Sequence, residues 1–140
     1  MSARPPPRRS FSTAKAGSWG TTFAKVLADG ESEVTLWARR SEIVREIRES
    51  NRNSDYLPGI NLPAALSATD NLEACVAGAS QVYIAVPSQH LRHNLEALAG
   101  TLASDAIVIS LMKGVEAGTG LRMSEVLTAA GGIAPHRIAV

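Results

Sequence analysis

Aromatic residues are scarce in this 140-residue chain, at 4% of the sequence, so its core has to be assembled from Ala, Val, Leu and Ile. Cysteine is scarcer still. Cys75 is the only one, which excludes an intrachain disulfide framework, and its place in an apolar-periodic stretch marks it as a small buried hydrophobe. Neither sign of charge prevails: 14 Lys and Arg stand against 13 Asp and Glu, for a net charge of +1. A nucleic-acid partner therefore has no bulk electrostatic support. No apolar run approaches the ~18 residues that span a bilayer; the expectation is a cytoplasmic protein with no membrane span. Acids are missing from Met1 to Ala16, which instead carry Arg4, Arg8 and Arg9, three consecutive prolines and several serines. Such a start reads either as an organelle transit peptide or as a disordered or misassigned N-terminus. Prolines 5 to 7 oppose the amphipathic helix that targeting needs and favour the second reading.

What is present is ordinary for a globular domain, with 45% apolar and 19% charged residues. The length suits one domain with a workable core. After residue 16, short β-rich runs alternate with helical patterns, and no internal repeat is visible. A helix is predicted from Gly17–Gly20 to about Asp29, a strand over Glu33–Ala38, and a helix from Ser41 to about Asn51 with Ile43, Val44 and Ile47 on its apolar face. Asn53 to Pro63 (NSDYLPGINLP) read as a loop. A weak strand follows near Leu66–Ala68, then a short helix to about Ala77 whose capping box is Asp70 with Glu73. Strands are predicted over Ser80–Val86 and Asp105–Leu111, and a helix capped by Ser88 carries Leu91, Leu95 and Leu98. Met123, Val126, Leu127 and Ala130 mark a last helix, and Arg137–Val140 the start of a strand. Strands separated by helices of this length need crossover connections, hence a parallel sheet. The near-continuous apolar strands at 82–86 and 106–111 suit a sheet covered on both faces.

Four turns then fall on one edge of that sheet. Gly17-Ser18-Trp19-Gly20 opens the first helix, Arg39-Arg40 follows the second strand, Pro87-Ser88 the fourth and Lys113-Gly114 the fifth. In a doubly wound sheet these lie at the carboxyl ends of the strands, where ligands bind. Gly17 would admit a pyrophosphate close to the backbone, Gly20 would let helix and strand pack, and the helix N-terminus would offer free N–H groups. The usual further glycine two positions before Gly17 is Lys15 here, which opposes a tight turn. No acid stands between Thr35 and Ser41 to bind ribose hydroxyls; Arg39 and Arg40 suit a 2′-phosphate instead, against the plainer reading of a solvated strand end. Lys113 is either a solvated loop lysine or a ligand contact over the sheet edge. His90 and His93, three apart on a helix, lack a third metal ligand, His136 carries no assignment, and Ser18 has no base beside it. No metal site is expected.

Five segments carry a resemblance: AGSWGT (16–21), VTLWARR (34–40), NSDYLPGINLP (53–63), AVPSQ (85–89) and SLMKG (110–114). Together they resemble the bacterial NAD(P)-dependent glycerol-3-phosphate dehydrogenases, from Ala16 to Val140. The resemblance implies a Rossmann-type, doubly wound, mainly parallel α/β domain that binds NADPH or NADH, with NADPH favoured by the arginines. It implies reduction of dihydroxyacetone phosphate to sn-glycerol 3-phosphate for phospholipid synthesis, and leaves a homodimer open for full-length members. Ser18 and Trp19 would contact the pyrophosphate and ribose region, Arg39 and Arg40 the adenosine end, and Lys113 both nicotinamide and substrate. Two departures stand out. Phe11 to Lys15 (FSTAK) replace the family's apolar first strand, so that strand is expected to be weak or missing. The family's catalytic lysine and substrate-phosphate ligands belong to a helical C-terminal domain, so no catalytic base is expected before Val140. The expected organisation is a disordered or misassigned segment over 1–15 and a dinucleotide-binding domain over 16–140, without the catalytic domain. An inactive nucleotide-binding remnant and a fragment that never folds stably are the rival readings.

Overall fold

A computed structural model of the chain describes residues 10–14, 17–98 and 100–140, the first of these segments by its backbone. Six strands form one sheet: β1 (Ser10–Ala14), β2 (Glu33–Trp37), β3 (Leu66–Thr69), β4 (Gln81–Ile84), β5 (Ile107–Ser110) and β6 (Ile138–Ala139). Their order is β3-β2-β1-β4-β5-β6 and every pairing is parallel. Helices α1 (Ser18–Asp29) and α2 (Ser41–Ser50) lie in the connections β1–β2 and β2–β3; α3 (Leu72–Val76) lies in the connection that crosses from β3 to β4, and α4 (Leu91–Leu98) and α5 (Met123–Gly131) in those from β4 to β5 and from β5 to β6.

The apolar positions explain the two layers. On one face, Val34 and Leu36 of β2 and Leu66 and Ala68 of β3 meet Ala24 and Ala28 of α1 and Ile43, Val44 and Ile47 of α2. On the other, Val82 and Ile84 of β4 and Val108 of β5 meet Leu91, Leu95 and Leu98 of α4 and Val126 and Leu127 of α5. Tyr83, between Val82 and Ile84, belongs to the first cluster, as the two-residue alternation of a strand requires. Cys75 is buried in the second cluster and its thiol lies 3.5 Å from the Thr35 carbonyl oxygen, the buried role its surroundings predicted.

Three local expectations need correction. The first strand is formed, centrally: Ser10–Ala14 pair with β2 on one side and β4 on the other. Two flanking ladders satisfy its backbone whatever its side chains contribute, and the sheet thus begins at Ser10, before the boundary expected at residue 16. The cap of α3 is Asn71, whose side chain accepts from the Ala74 backbone N–H at 2.9 Å, and not Asp70. Ser88 does not cap a helix; Ser88–His90 form a 3-10 turn that leads into α4. Lys15 lies outside the described residues. Among the described residues no helix is long and apolar enough to cross a membrane.

Candidate functional site

The chain leaves β1 toward β2 and β3 on one side, and β4, β5 and β6 lie on the other. This reversal opens a crevice at the carboxyl ends of the central strands. α1 starts at that edge. Its N-cap is Gly17, with no side-chain hydrogen bond to the first turn and no acidic residue in it. Thr21 makes the first helical bond, to the Gly17 carbonyl at 2.9 Å. The N–H groups of the turn before it therefore point outward at the positive end of the helix dipole, an arrangement that favours an anion. Gly17 has φ −79°, open to any residue, and a Cβ built on it would meet nothing within 4 Å. The fold itself does not demand glycine there; a ligand lying against the backbone would.

A cavity of about 140 Å³ opens beside this turn. Gly17, residues 37–40 and Ile43 line it from the α1 and β2 side, Tyr56 from the following loop, and His90 and Asn94 from beyond β4. It is smaller than the ~300–1,000 Å³ of a complete small-molecule site and suits one end of an extended ligand.

The loop after α2 is built to hold that wall. Its ends are joined by a Leu62 N–H to Asn51 carbonyl bond of 2.7 Å and by Arg52 Nε donating to Asn61 Oδ1 at 3.0 Å. Ser54 donates to the Glu46 carboxylate through both its backbone N–H and its hydroxyl. At the centre, Asn53 Nδ2 donates to Thr21 Oγ1 on α1 at 2.9 Å, with both residues fully buried. The Arg40 guanidinium donates to Asp55 Oδ2 at 2.7 Å, and both side chains are half exposed. Hydrogen bonding to Asp55, then its charge, raises the Arg40 pKa above its ordinary value.

Lys113 stands apart from the cavity, exposed on the turn beyond β5. Gly114 beside it has φ +102°, a conformation that selects glycine. The segment that follows is clasped to α4. Arg92 donates to both carboxylate oxygens of Glu116 at 2.8 Å, and Thr119 donates to Glu116 Oε2 at 2.6 Å. Gln89 donates to the Val115 carbonyl at 2.9 Å and accepts from the Ala117 N–H at 2.8 Å. The Arg92 guanidinium, and then the Thr119 hydroxyl, hold the Glu116 pKa down to about 2. Lys113 is thereby presented on a fixed turn.

Of the residues expected at a nucleotide site, the structure brings Gly17, Arg39 and Arg40 to one cavity. Ser18 and Trp19 are exposed on the first turn of α1, while Gly20 is buried within it. His90 borders the cavity, whereas His93 faces Glu96 at 3.6 Å on the surface. Among the described residues no group of three or more His, Cys, Asp and Glu could hold a metal ion. Sequence reasoning missed Asn53, Asp55, Tyr56 and Asn94. The motif around Tyr56 was visible, but its side chains gain a role only when the loop folds back on α1.

Strand order, helix placement and a cavity at the reversal of the sheet define a Rossmann-type α/β domain. Residues 14–140 match the family described as NAD-dependent glycerol-3-phosphate dehydrogenase N-terminus, and the chain belongs to that family. It is 60% identical over 125 residues to a glycerol-3-phosphate dehydrogenase (NAD(P)+) of Leifsonia xyli subsp. xyli, covering 89% of this chain and 34% of that protein. To the enzyme of that name from Corynebacterium glutamicum it is 51% identical over 131 residues, covering 94% of this chain and 40% of the relative. It thus spans little more than a third of the length of these relatives. Among solved structures, glycerol-3-phosphate dehydrogenase from Coxiella burnetii superposes with a TM-score of 0.83 at 29% identity, over 91% of this chain and 39% of that one.

Proposed function

We propose that this chain forms the cofactor-binding part of an sn-glycerol-3-phosphate dehydrogenase and holds NADPH or NADH across the carboxyl edge of its sheet. The observation that carries this reading is the meeting of an uncapped, acid-free helix N-terminus with a cavity lined by Gly17, Arg39 and Arg40. The pyrophosphate would lie on the first turn of α1, against Gly17, Ser18 and Trp19. Arg39 and Arg40 would hold the adenosine end in the cavity beside Tyr56. Lys113, on its clasped turn, would stand toward the nicotinamide and the phosphorylated substrate. When bound there, the nicotinamide would supply hydride-transfer chemistry between dihydroxyacetone phosphate and glycerol 3-phosphate. This chain's residues bind and orient the cofactor, and the reaction would feed glycerophospholipid synthesis.

Titration calorimetry with NADPH and with NADH tests the reading. Both nucleotides should bind, and the Arg39→Ala/Arg40→Ala variant should lose more affinity for NADPH than for NADH, since charge-assisted bonds are the stronger ones. No binding of either nucleotide to the folded chain would overturn it.

A further inference from the structure

The end of β2 is where a dinucleotide fold distinguishes a phosphorylated from an unphosphorylated ribose. No acid occupies that stretch of sequence between Thr35 and Ser41. The tertiary structure nevertheless brings one there, from fifteen residues further along: Asp55 lies 2.7 Å from Arg40. Its neighbour Tyr56 lines the same cavity as Arg40. The loop that carries Asp55 is anchored independently, by the buried Asn53–Thr21 bond and by Glu46.

Resting on the cofactor reading above, we propose that Asp55 is a specificity-determining residue: by holding Arg40 it weakens the preference for a 2′-phosphorylated nucleotide and makes the site accept both forms. A phosphate monoester carries about −1.5 to −2 charge at neutral pH. To reach Arg40 it must share the guanidinium with a carboxylate already bonded to it, and two anions are brought together. An unphosphorylated ribose brings no such repulsion, and its hydroxyl can donate to the Asp55 carboxylate. Arg39 makes no hydrogen bond or ion pair among the described residues and is the arginine left for the phosphate. The Arg40 and Asp55 side chains are 49% and 51% exposed, so the effect is modest and screened by salt.

The test is Asp55→Asn, which keeps the size and one acceptor oxygen, with Asp55→Glu as the conservative control. NADPH and NADH are titrated calorimetrically into wild type and both variants at low and at high ionic strength. Asp55→Asn should raise the ratio of Kd for NADH to Kd for NADPH roughly 2- to 5-fold at low ionic strength, and less at high. Asp55→Glu should stay near the wild-type ratio. A ratio unmoved in Asp55→Asn, or equal weakening of both nucleotides, would overturn the proposal and leave Asp55 as a loop anchor. If wild type binds neither nucleotide, the cofactor reading itself fails; that outcome differs from binding with an unmoved ratio.

Discussion

Replacing Thr21 by Val would remove one hydroxyl from the centre of the molecule while keeping the shape of the side chain. Thr21 and Asn53 are both at 0% exposure, and their bond of 2.9 Å ties α1 to the loop that bears Asp55 and Tyr56. A buried donor deprived of its acceptor costs about 1–3 kcal/mol. Against the ~5–15 kcal/mol that holds a domain together, this is a large fraction. For a chain of this size 1 kcal/mol moves the melting temperature about 3–5 °C, so Thr21→Val should lower it by roughly 3–15 °C. Changing both partners to apolar residues is less harmful than breaking one, because no polar atom is then stranded. Thr21→Val/Asn53→Leu should therefore melt above the sum of the two single effects. The assay is thermal unfolding followed by circular dichroism, with NADPH affinity measured in parallel, since a loosened loop should also weaken the cavity. A melting temperature unchanged in Thr21→Val, or strict additivity in the double variant, would refute the claim that this bond anchors the loop.

Gly17→Ser should act oppositely on stability and on binding. A serine N-cap satisfies one outward N–H and stabilises α1 by a few tenths of a kcal/mol, but it crowds the place proposed for pyrophosphate; a melt and an NADPH titration that move in the same direction would contradict this. Glu116 has a folded-state pKa near 2 against an ordinary 4.5, so its contribution is fully present above pH 4.5 and is lost as pH falls toward 2. The difference in melting temperature between wild type and Glu116→Gln should be flat above pH 5 and shrink below about 4.5; a difference that persists unchanged to pH 2 would exclude the Arg92 clasp as its source.

The order of strands and helices, the parallel sheet and the gathering of turns at one edge were all legible in the sequence, because each rests on local period and connection length. The helix over Ser18–Asp29 and the apolar stripe of Ile43, Val44 and Ile47 follow from spacing alone. Caps were less legible, because Asp70 and Asn71 are adjacent and comparably good N-cap residues, and the observed start of the helix at Leu72 makes Asn71 the cap. The poor composition of Ser10–Ala14 pointed to a weak or missing strand, whereas pairing on both sides holds its backbone in the centre of the sheet. Gly17, Arg39 and Arg40 could be placed at the carboxyl edge of the sheet from sequence, but not the company that Arg40 keeps. Asp55 is fifteen residues from Arg40, and Asn53 is thirty-two from Thr21. Those pairs exist because the loop after α2 folds back onto α1 and onto the start of α2, and no periodicity encodes such contacts. Local pattern and connection length specify the scaffold and the edge where its turns gather; which charges share that edge follows from the folded arrangement, since a loop's side chains find their partners only after the sheet and helices have fixed where it can lie.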